Sequence, residues 1–431
     1  MLILPYKMVH LRLSDISKRL TNEELDNIFK LKTNSQDSVV NYQVMRVGPA
    51  GEGLLSAVYR INVKGEKYDT SIVAKGLLHD LMLRKTLSCE IFFQREVVFF
   101  TKVLQILMDL QTSLNAKECL QNYIPLCYHS YCDGCNDFLV MEDMSESGYA
   151  SLPHAPTDFE KEGTLKVLAH LHAVSMALRI KNPELFYKLA NELPECYYIN
   201  RRKTWYGKWL QRAIDIDKAV VAEFKNKIGN LYYEKFMQLI NDDVYEQLQN
   251  ISSTWGDNTV LNHGDCWYAN FMSSKKGVVA LDFQLYRFGS PAIDLTFFIM
   301  TCANVSPLAD DYKNTLNVYY SYLRYFMEDM NMNIDNVFPR HALDSEMHKY
   351  GKFGFLVALS SIPLIISERC DVMQSFEERF KEHDIIPLEE LWVLTPFKTD
   401  EEKMRLINKS YEEHFINYIH KFISNNLSCK S

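Results

Sequence analysis

"LNHGDCWYANFMSSKKGVVALDFQ" runs from Leu261 to Gln284 and sets two aspartates, Asp265 and Asp282, on either side of Asn270. The apolar run before Asp282 reads as a buried strand, and the polar segment before Asn270 as a loop that returns on itself. Taken singly these are ordinary residues, since Asp caps turns and helix starts and Asn sits in loops. Their order, between two short apolar strands, supports a second reading. A hydroxyl attacking the γ-phosphate of ATP needs a carboxylate to orient it and accept its proton, and oxygen ligands for Mg2+. Asp265 suits the first task, and Asn270 and Asp282 the second.

The front of the chain supplies the other half of that chemistry. "VGPAGEGLLSAVYRI" carries Gly48, Gly51 and Gly53 just before a strand, with Ser56 close behind. Glycines let a backbone approach phosphates and present N–H groups to them, although a Gly-rich turn between strands is common by itself. "IVAK" ends in Lys75, a cation leaving a β-branched strand and suited to the α- and β-phosphates. Glu96, flanked by apolar residues in "QREVVFF", can pair with Lys75; the plainer readings are a solvated strand-end lysine and a surface glutamate. Glycine loop, lysine, helix glutamate and then the Asp–Asn–Asp set follow one another as they do in kinases.

Periodicity gives the frame for these residues. Residues 56–65 alternate Ala57, Tyr59, Ile61 and Val63 on one face, and 69–77 is a second β-branched run, which predicts an antiparallel pair. Residues 89–107 lack turn residues and read as a helix that is apolar on more than one side. Residues 123–131 and 137–144 read as strands joined by a two-residue Asp133-Gly134 turn, with Cys132 and Cys135 facing each other across it. From Asp158 the pattern turns helical: 159–179 repeats Leu165, Leu168, Leu171 and Ala177-Leu178, and long helices also fit 216–250, 307–331, 341–370 and 401–425. The expected fold is α+β, with a small β-rich N-terminal nucleotide-binding lobe over 1–142. A large helical C-terminal lobe over 143–431 carries the catalytic loop and acceptor site.

The composition narrows the classes further. With 47% hydrophobic and 13% aromatic residues the chain has ample material for a large core. A net charge of −8, mixed along the chain with no basic stripe, argues against a nucleic-acid partner. Pro5 cuts the first apolar run short of a signal peptide, residues 353–367 fall short of a membrane span, and Cys429 lies one residue too late for prenylation. Ten cysteines without a secretory signal are taken as reduced thiols, so a cytoplasmic protein without an evident obligate protein partner is expected.

Several residues have quieter readings. His170 and His172, two apart on a helix, cannot form an i, i+4 metal pair and read as packing or hydrogen-bonding residues. His263 is expected to brace the loop. Asp294 is either a carboxylate favoured at a helix N-terminus or one that also ties down the loop's backbone. In "CYYINRRKTWYGKWL", Trp205 and Trp209 share a helical face and are candidates for a substrate wall, with core packing the plainer account.

The run "HGDCWYANFM…VVALDFQLYRFGSPAIDLTFF" resembles the signature of the ecdysteroid kinase-like (CHK kinase-like) family, within the clan of aminoglycoside phosphotransferases and choline kinases. "FLVMEDMSESGY" resembles that family's hinge and "LKVLAHLHAVSMAL" its first large-lobe helix, so the resemblance spans about residues 40 to 420. It implies a two-lobed protein-kinase-like fold, ATP and Mg2+ as cofactors, and a small hydroxylated molecule as substrate. Residue by residue it implies Asp265 as the catalytic aspartate, Asn270 and Asp282 as metal ligands, and Lys75 with Glu96 as its ion-pair partner. Met141, Glu142, Asp143 and Met144 match the hinge, whose backbone would meet adenine. Ala269 departs from the family's frequent second asparagine, and Gln284 replaces the glycine that protein kinases carry after Asp-Phe. The favoured acceptor is lipophilic, such as an ecdysteroid. The alternatives are a cationic acceptor of the choline or aminoglycoside type, or a catalytically inactive binding protein on the same fold.

Overall fold

In this computed structural model the described residues are 11–47, 55–153, 155–200, 202–223, 225–301 and 309–366. The chain divides into two compact units, Met1–Phe100 with Pro125–Tyr149, and Thr101–Ile124 with Ala150–Ser431. It is an α+β protein, with one antiparallel sheet in the first unit and mainly helices in the second.

The first unit is built on β1 (Val39–Arg46), β2 (Ala57–Gly65), β3 (Asp69–Gly76), β4 (Cys127–Tyr131) and β5 (Phe138–Glu142), in spatial order β1-β2-β3-β5-β4. The alternation read at Ala57, Tyr59, Ile61 and Val63 is real: all four are buried, and they pack with Leu25, Ile28, Phe29, Ile72 and Phe138. β2 and β3 pair antiparallel with Ile61 opposite Ile72, as the two β-branched runs predict. β1 was not foreseen. It lies at the sheet edge with only Val44 fully buried, so it carries almost no periodic signal. β4 is shorter than expected, because Tyr123 closes a short 3-10 turn and the strand starts at Cys127.

The turn between β4 and β5 also differs from expectation. Tyr131 pairs with Phe138, so the connection is six residues long instead of two. Asp137 is the cause: its Oδ1 accepts the amides of Asp133 and Gly134, each at 2.7 Å, while Asp133 accepts those of Cys135 and Asn136. These carboxylates satisfy amides that a tight hairpin would pair across the strands. Cys132 and Cys135 both lie in this loop, exposed, with no cross-strand pairing.

In the second unit the helix Asp158–Lys181 opens on a capping box between Thr157 and Glu160, and residues 164–178 are buried except for the half-buried Lys166. It packs against Ala309–Asp329 on one side and against the strands that hold the aspartate-bearing loop on another. Those strands are β6 (Ala150–Ser151), β7 (Val260–Asn262), β8 (Phe271–Ser274), β9 (Gly277–Ala280) and β10 (Arg287–Gly289), arranged as β6-β8-β9 and β10-β7. The helical region expected at 216–250 begins earlier and is broken into Trp205–Glu223, Lys225–Ile228, Asn230–Asn241 and Val244–Ser253. The region expected at 341–370 is split at Gly351 into Arg340–Tyr350 and Lys352–Ile366, and 401–425 lies outside the described residues. Among the described residues no helix is long and apolar enough to cross a membrane.

His170 is a packing residue with an electrostatic consequence. Its ring stacks on Phe326, with centroids 3.9 Å apart, and its Nε2 accepts from Gln111 Nε2 at 2.8 Å. Burial, with a smaller contribution from Lys166, pushes its pKa down to about 3. The folded state therefore holds His170 neutral at pH values where an unfolded chain protonates it. Unfolding takes up a proton between about pH 3 and the ordinary imidazole range near ~6.5, so stability falls as pH falls through that window. His170→Phe should flatten this dependence, read as the denaturant midpoint across mildly acidic pH.

Candidate active site

The anticipated site residues fall in both units. In the first, Lys75 leaves the end of β3 and Glu96 sits on the helix Cys89–Val98. Lys75 Nζ donates to both carboxylate oxygens of Glu96, at 2.9 and 2.7 Å, and both side chains are buried. A buried ammonium and carboxylate persist only when so paired, which excludes the surface readings of either residue. Ser56 is buried immediately before β2, while Gly51 and Gly53 lie outside the described residues.

The hinge residues also belong to the first unit. Met141 and Glu142 end β5, and the Glu142 amide donates to Leu126 O at 2.8 Å. Asp143 is buried and starts the 3-10 turn Met144–Ser147. Its carboxylate accepts from Arg60 Nε and Ser71 Oγ, each at 2.6 Å, and from the Ser145 amide. The side chain is thus committed to holding the turn.

The second unit assembles the opening motif tightly. β7 delivers His263, Gly264 and Asp265. Phe271 of β8 pairs with Ala280 of β9, and the Leu281 amide donates to Asn270 O at 2.8 Å. The β8–β9 hairpin therefore sets Asn270 at the same end as Asp282, although twelve residues separate them in the chain. Asn270 Nδ2 donates to Asp265 Oδ2 at 2.8 Å and to Asp265 O at 3.0 Å. One amide group thus fixes both the carboxylate and the backbone of Asp265.

His263 ties the two loops together. Its Nδ1 accepts the Asp265 amide at 3.3 Å, which leaves Nε2 as the donor to Leu281 O at 2.8 Å. Those roles require a neutral ring, and burial pushes its pKa down, against the raising influence of Asp294. Behind it lies Asp294, fully buried in the helix Ala292–Thr301. Its Oδ2 accepts the His263 amide at 2.6 Å and its Oδ1 the Gly264 amide at 2.9 Å. Asp294 is therefore the tie-down for the loop backbone as well as a first-turn carboxylate. His172 Nε2 donates to Asp294 Oδ2 at 3.2 Å, and the Tyr319 hydroxyl meets His172 Nδ1 at 2.8 Å. Gly264 itself has φ +87°, and a side chain there would strike the Leu285 carbonyl, so only glycine fits.

Two residues here carried no signal that a sequence reading would single out. Arg287 on β10 is buried; its Nη2 donates to Gly264 O at 3.2 Å and its Nε to Leu285 O at 3.3 Å. Tyr319 closes the His172–Asp294 chain from a helix 147 residues away in sequence. A charged residue between Tyr286 and Phe288 is the one local hint at Arg287; nothing local marks Tyr319. In the candidate substrate wall, Tyr197, Tyr198 and Tyr206 form a ring cluster with centroid separations of 4.5–5.7 Å, and Tyr198 and Tyr206 are buried core. The Trp205 and Trp209 side chains lie outside the described residues.

The donors available to a metal are oxygens. Asn270 and Asp282 offer an amide and a carboxylate, with no thiol or imidazole among them. Among the described residues no three carboxylate, imidazole or thiol side chains gather as a preformed metal cage. Two protein ligands fit a hard cation such as Mg2+, which keeps waters and binds substrate phosphates.

Comparison with known proteins adds a family. The model of the ecdysteroid kinase-like family matches residues 50–332. No curated protein sequence matches the chain. Among solved structures, it is similar to a choline kinase from Cryptosporidium parvum (12% identity, 89% of this chain and 89% of that one, TM-score 0.41). It is also similar to the amicoumacin kinase hAmiN in complex with AMP-PNP, Ca2+ and Ami (13% identity, 90% and 97%, TM-score 0.41). A Plasmodium vivax ethanolamine kinase is a third (11% identity, 87% and 82%, TM-score 0.35). At such identities and scores these likenesses carry no inference about the substrate.

Proposed function

The chain belongs to the ecdysteroid kinase-like family, and on that premise we propose that it phosphorylates a lipophilic alcohol of the ecdysteroid kind with Mg-ATP. The family makes it an ATP-dependent phosphotransferase acting on a small-molecule hydroxyl. In our reading Asp265 orients the acceptor hydroxyl and takes its proton as the oxygen attacks the γ-phosphate. Asn270 and Asp282 hold the Mg2+, which when bound neutralises charge on the phosphates. Lys75, fixed by Glu96, takes the α- and β-phosphates. Gly51, Gly53 and Ser56 line the phosphates with backbone and hydroxyl donors, and the backbone of Met141–Met144 takes adenine. We place the reaction in the cytoplasm.

The observation that carries this reading is the double hydrogen bond from Asn270 to Asp265, at the hairpin end that also bears Asp282. A polar loop with no chemical role has no need to fix a half-buried carboxylate so closely, with a neutral imidazole bridging its two strands. The test is a screen of hydroxylated steroids, plant alcohols, choline and aminoglycosides with γ-labelled ATP and Mg2+. Label transferred to a steroid alcohol supports the proposal. Transfer only to cationic acceptors refutes the lipophilic acceptor, and binding of Mg-ATP without turnover of any acceptor refutes the enzyme.

A further inference from the structure

The segment before the helix Trp205–Glu223 and the peptide that carries Asp265 meet at one buried cation. Arg287 is 1% exposed, and its guanidinium spans the carbonyls of Gly264 and Leu285, one residue before Asp265 and three after Asp282. The rings of Tyr198 and Phe353 flank it, with centroids 5.3 and 5.7 Å from its Cζ. Its Nη1 makes no hydrogen bond, and Glu195 Oε1 lies 4.0 Å away. Glu195, itself buried, accepts the amides of Tyr197, Tyr198 and Ile199 at 2.7–3.0 Å and so fixes the fold of that segment. Tyr198 is held further by a hydrogen bond from Tyr245 to its carbonyl and by ring contacts with Tyr197 and Tyr206.

A guanidinium is suited to this place because it is planar, always charged, and offers several donors in a fixed fork. Glu195 lies beyond hydrogen-bond reach of Nη1, so its hold on Arg287 is mainly electrostatic, and a buried charge pair is screened little. Asn262, directly opposite Arg287 in the β7–β10 register, has neither side-chain atom hydrogen-bonded. The cation is thus held from the loop side by two carbonyls and from the helix side by one carboxylate and two rings.

We propose that Arg287 is a positioning residue which, through Glu195, couples the 195–206 segment to the peptide bearing Asp265. It acts on Asp265 through the Gly264 carbonyl and touches no reacting atom. This rests on Asp265 being the group that handles the acceptor hydroxyl, whereas the mechanical coupling itself does not.

The experiment compares the full chain with Arg287→Lys, Arg287→Met and Glu195→Gln. Two readouts are used: hydrolysis of Mg-ATP with water as acceptor, resolved into kcat and KM, and hydrogen exchange of backbone amides over 261–270. The expected result is a kcat for Arg287→Met at least ~10-fold lower with KM for ATP within about twofold. A displaced reacting group costs rate without costing ground-state binding. Arg287→Lys should recover part of the loss, because an ammonium can serve one carbonyl but not both in the fork geometry. Glu195→Gln should raise exchange over 261–270 as well as over 195–206. Exchange confined to 195–206 in Glu195→Gln overturns the coupling, and so does an Arg287→Met kcat equal to that of the unmutated chain. If Arg287→Met does not fold, the Lys and Gln variants decide alone. If the unmutated chain transfers phosphate neither to water nor to any acceptor of the screen, the kinase reading fails while the exchange data still decide the coupling.

Discussion

Asp265→Asn should slow phosphotransfer by orders of magnitude while leaving the fold in place. Loss of a positioned general base costs about 10²- to 10⁴-fold in rate, and the expected fall in kcat lies in that range. The carboxamide has nearly the carboxylate's shape, and its oxygen can still accept from Asn270 Nδ2, so the loop keeps its internal bond. What disappears is the capacity to accept the acceptor's proton. Binding of Mg-ATP should survive and can tighten, since a negative charge near the phosphates is removed. The measurement is turnover of the best acceptor from the screen beside the thermal midpoint and Mg-ATP affinity. Turnover of Asp265→Asn within threefold of the unmutated chain would assign the proton to another group.

Asp294→Ala should be the most damaging single change to stability, at about 3–5 kcal/mol, the usual cost of removing one partner from a buried charged network. The carboxylate is fully buried, so its loss leaves the amides of His263 and Gly264 and the His172 imidazole without their acceptor. Burial pushes the Asp294 pKa up, but the hydrogen bonds from His172 and the Gly264 amide outweigh it, and the group ends below its ordinary value. A carboxyl with a depressed folded pKa contributes stability that is present above the unfolded value near ~3.9 and is lost as pH falls through the folded one. Denaturant titration should therefore show Asp294→Ala far weaker than the unmutated chain at neutral pH, with the gap closing in acid. A gap that is constant from neutral to strongly acid pH would mean that Asp294 is not ionised in the folded protein.

Both expectations rest on a motif legible in the sequence, and they also mark where legibility ended. Asp265, Asn270 and Asp282 announce themselves by order and spacing, because a loop and a hairpin bring near neighbours together. The alternation of Ala57 to Val63 and the leucine stripe of the helix Asp158–Lys181 were readable because each faces one continuous core. β1 escaped because an edge strand with little buried surface has no period to read. The Asp133-Gly134 turn was misread because local propensity favours a two-residue hairpin, whereas Asp137 captures the turn's amides from outside that window. Two supports of the Asp265 loop, Arg287 and Tyr319, escaped for a related reason. Arg287 reaches back 23 residues to Gly264, and Tyr319 reaches His172 across 147, contacts that no short pattern encodes.

Asp282 has a left-handed backbone, φ +62° and ψ +68°, and its Oδ2 accepts from Gln284 Nε2 at 3.3 Å in the 3-10 turn that follows. An L-residue in that region is held at a cost of about 1–2 kcal/mol, which glycine avoids. Folding by itself would accept a smaller residue at this point. In a population of variants propagated under selection for folding alone, position 282 should drift towards glycine and asparagine within few rounds. Under selection for phosphate transfer it should stay fixed, so its rate of substitution becomes a gauge of whether the activity is being used.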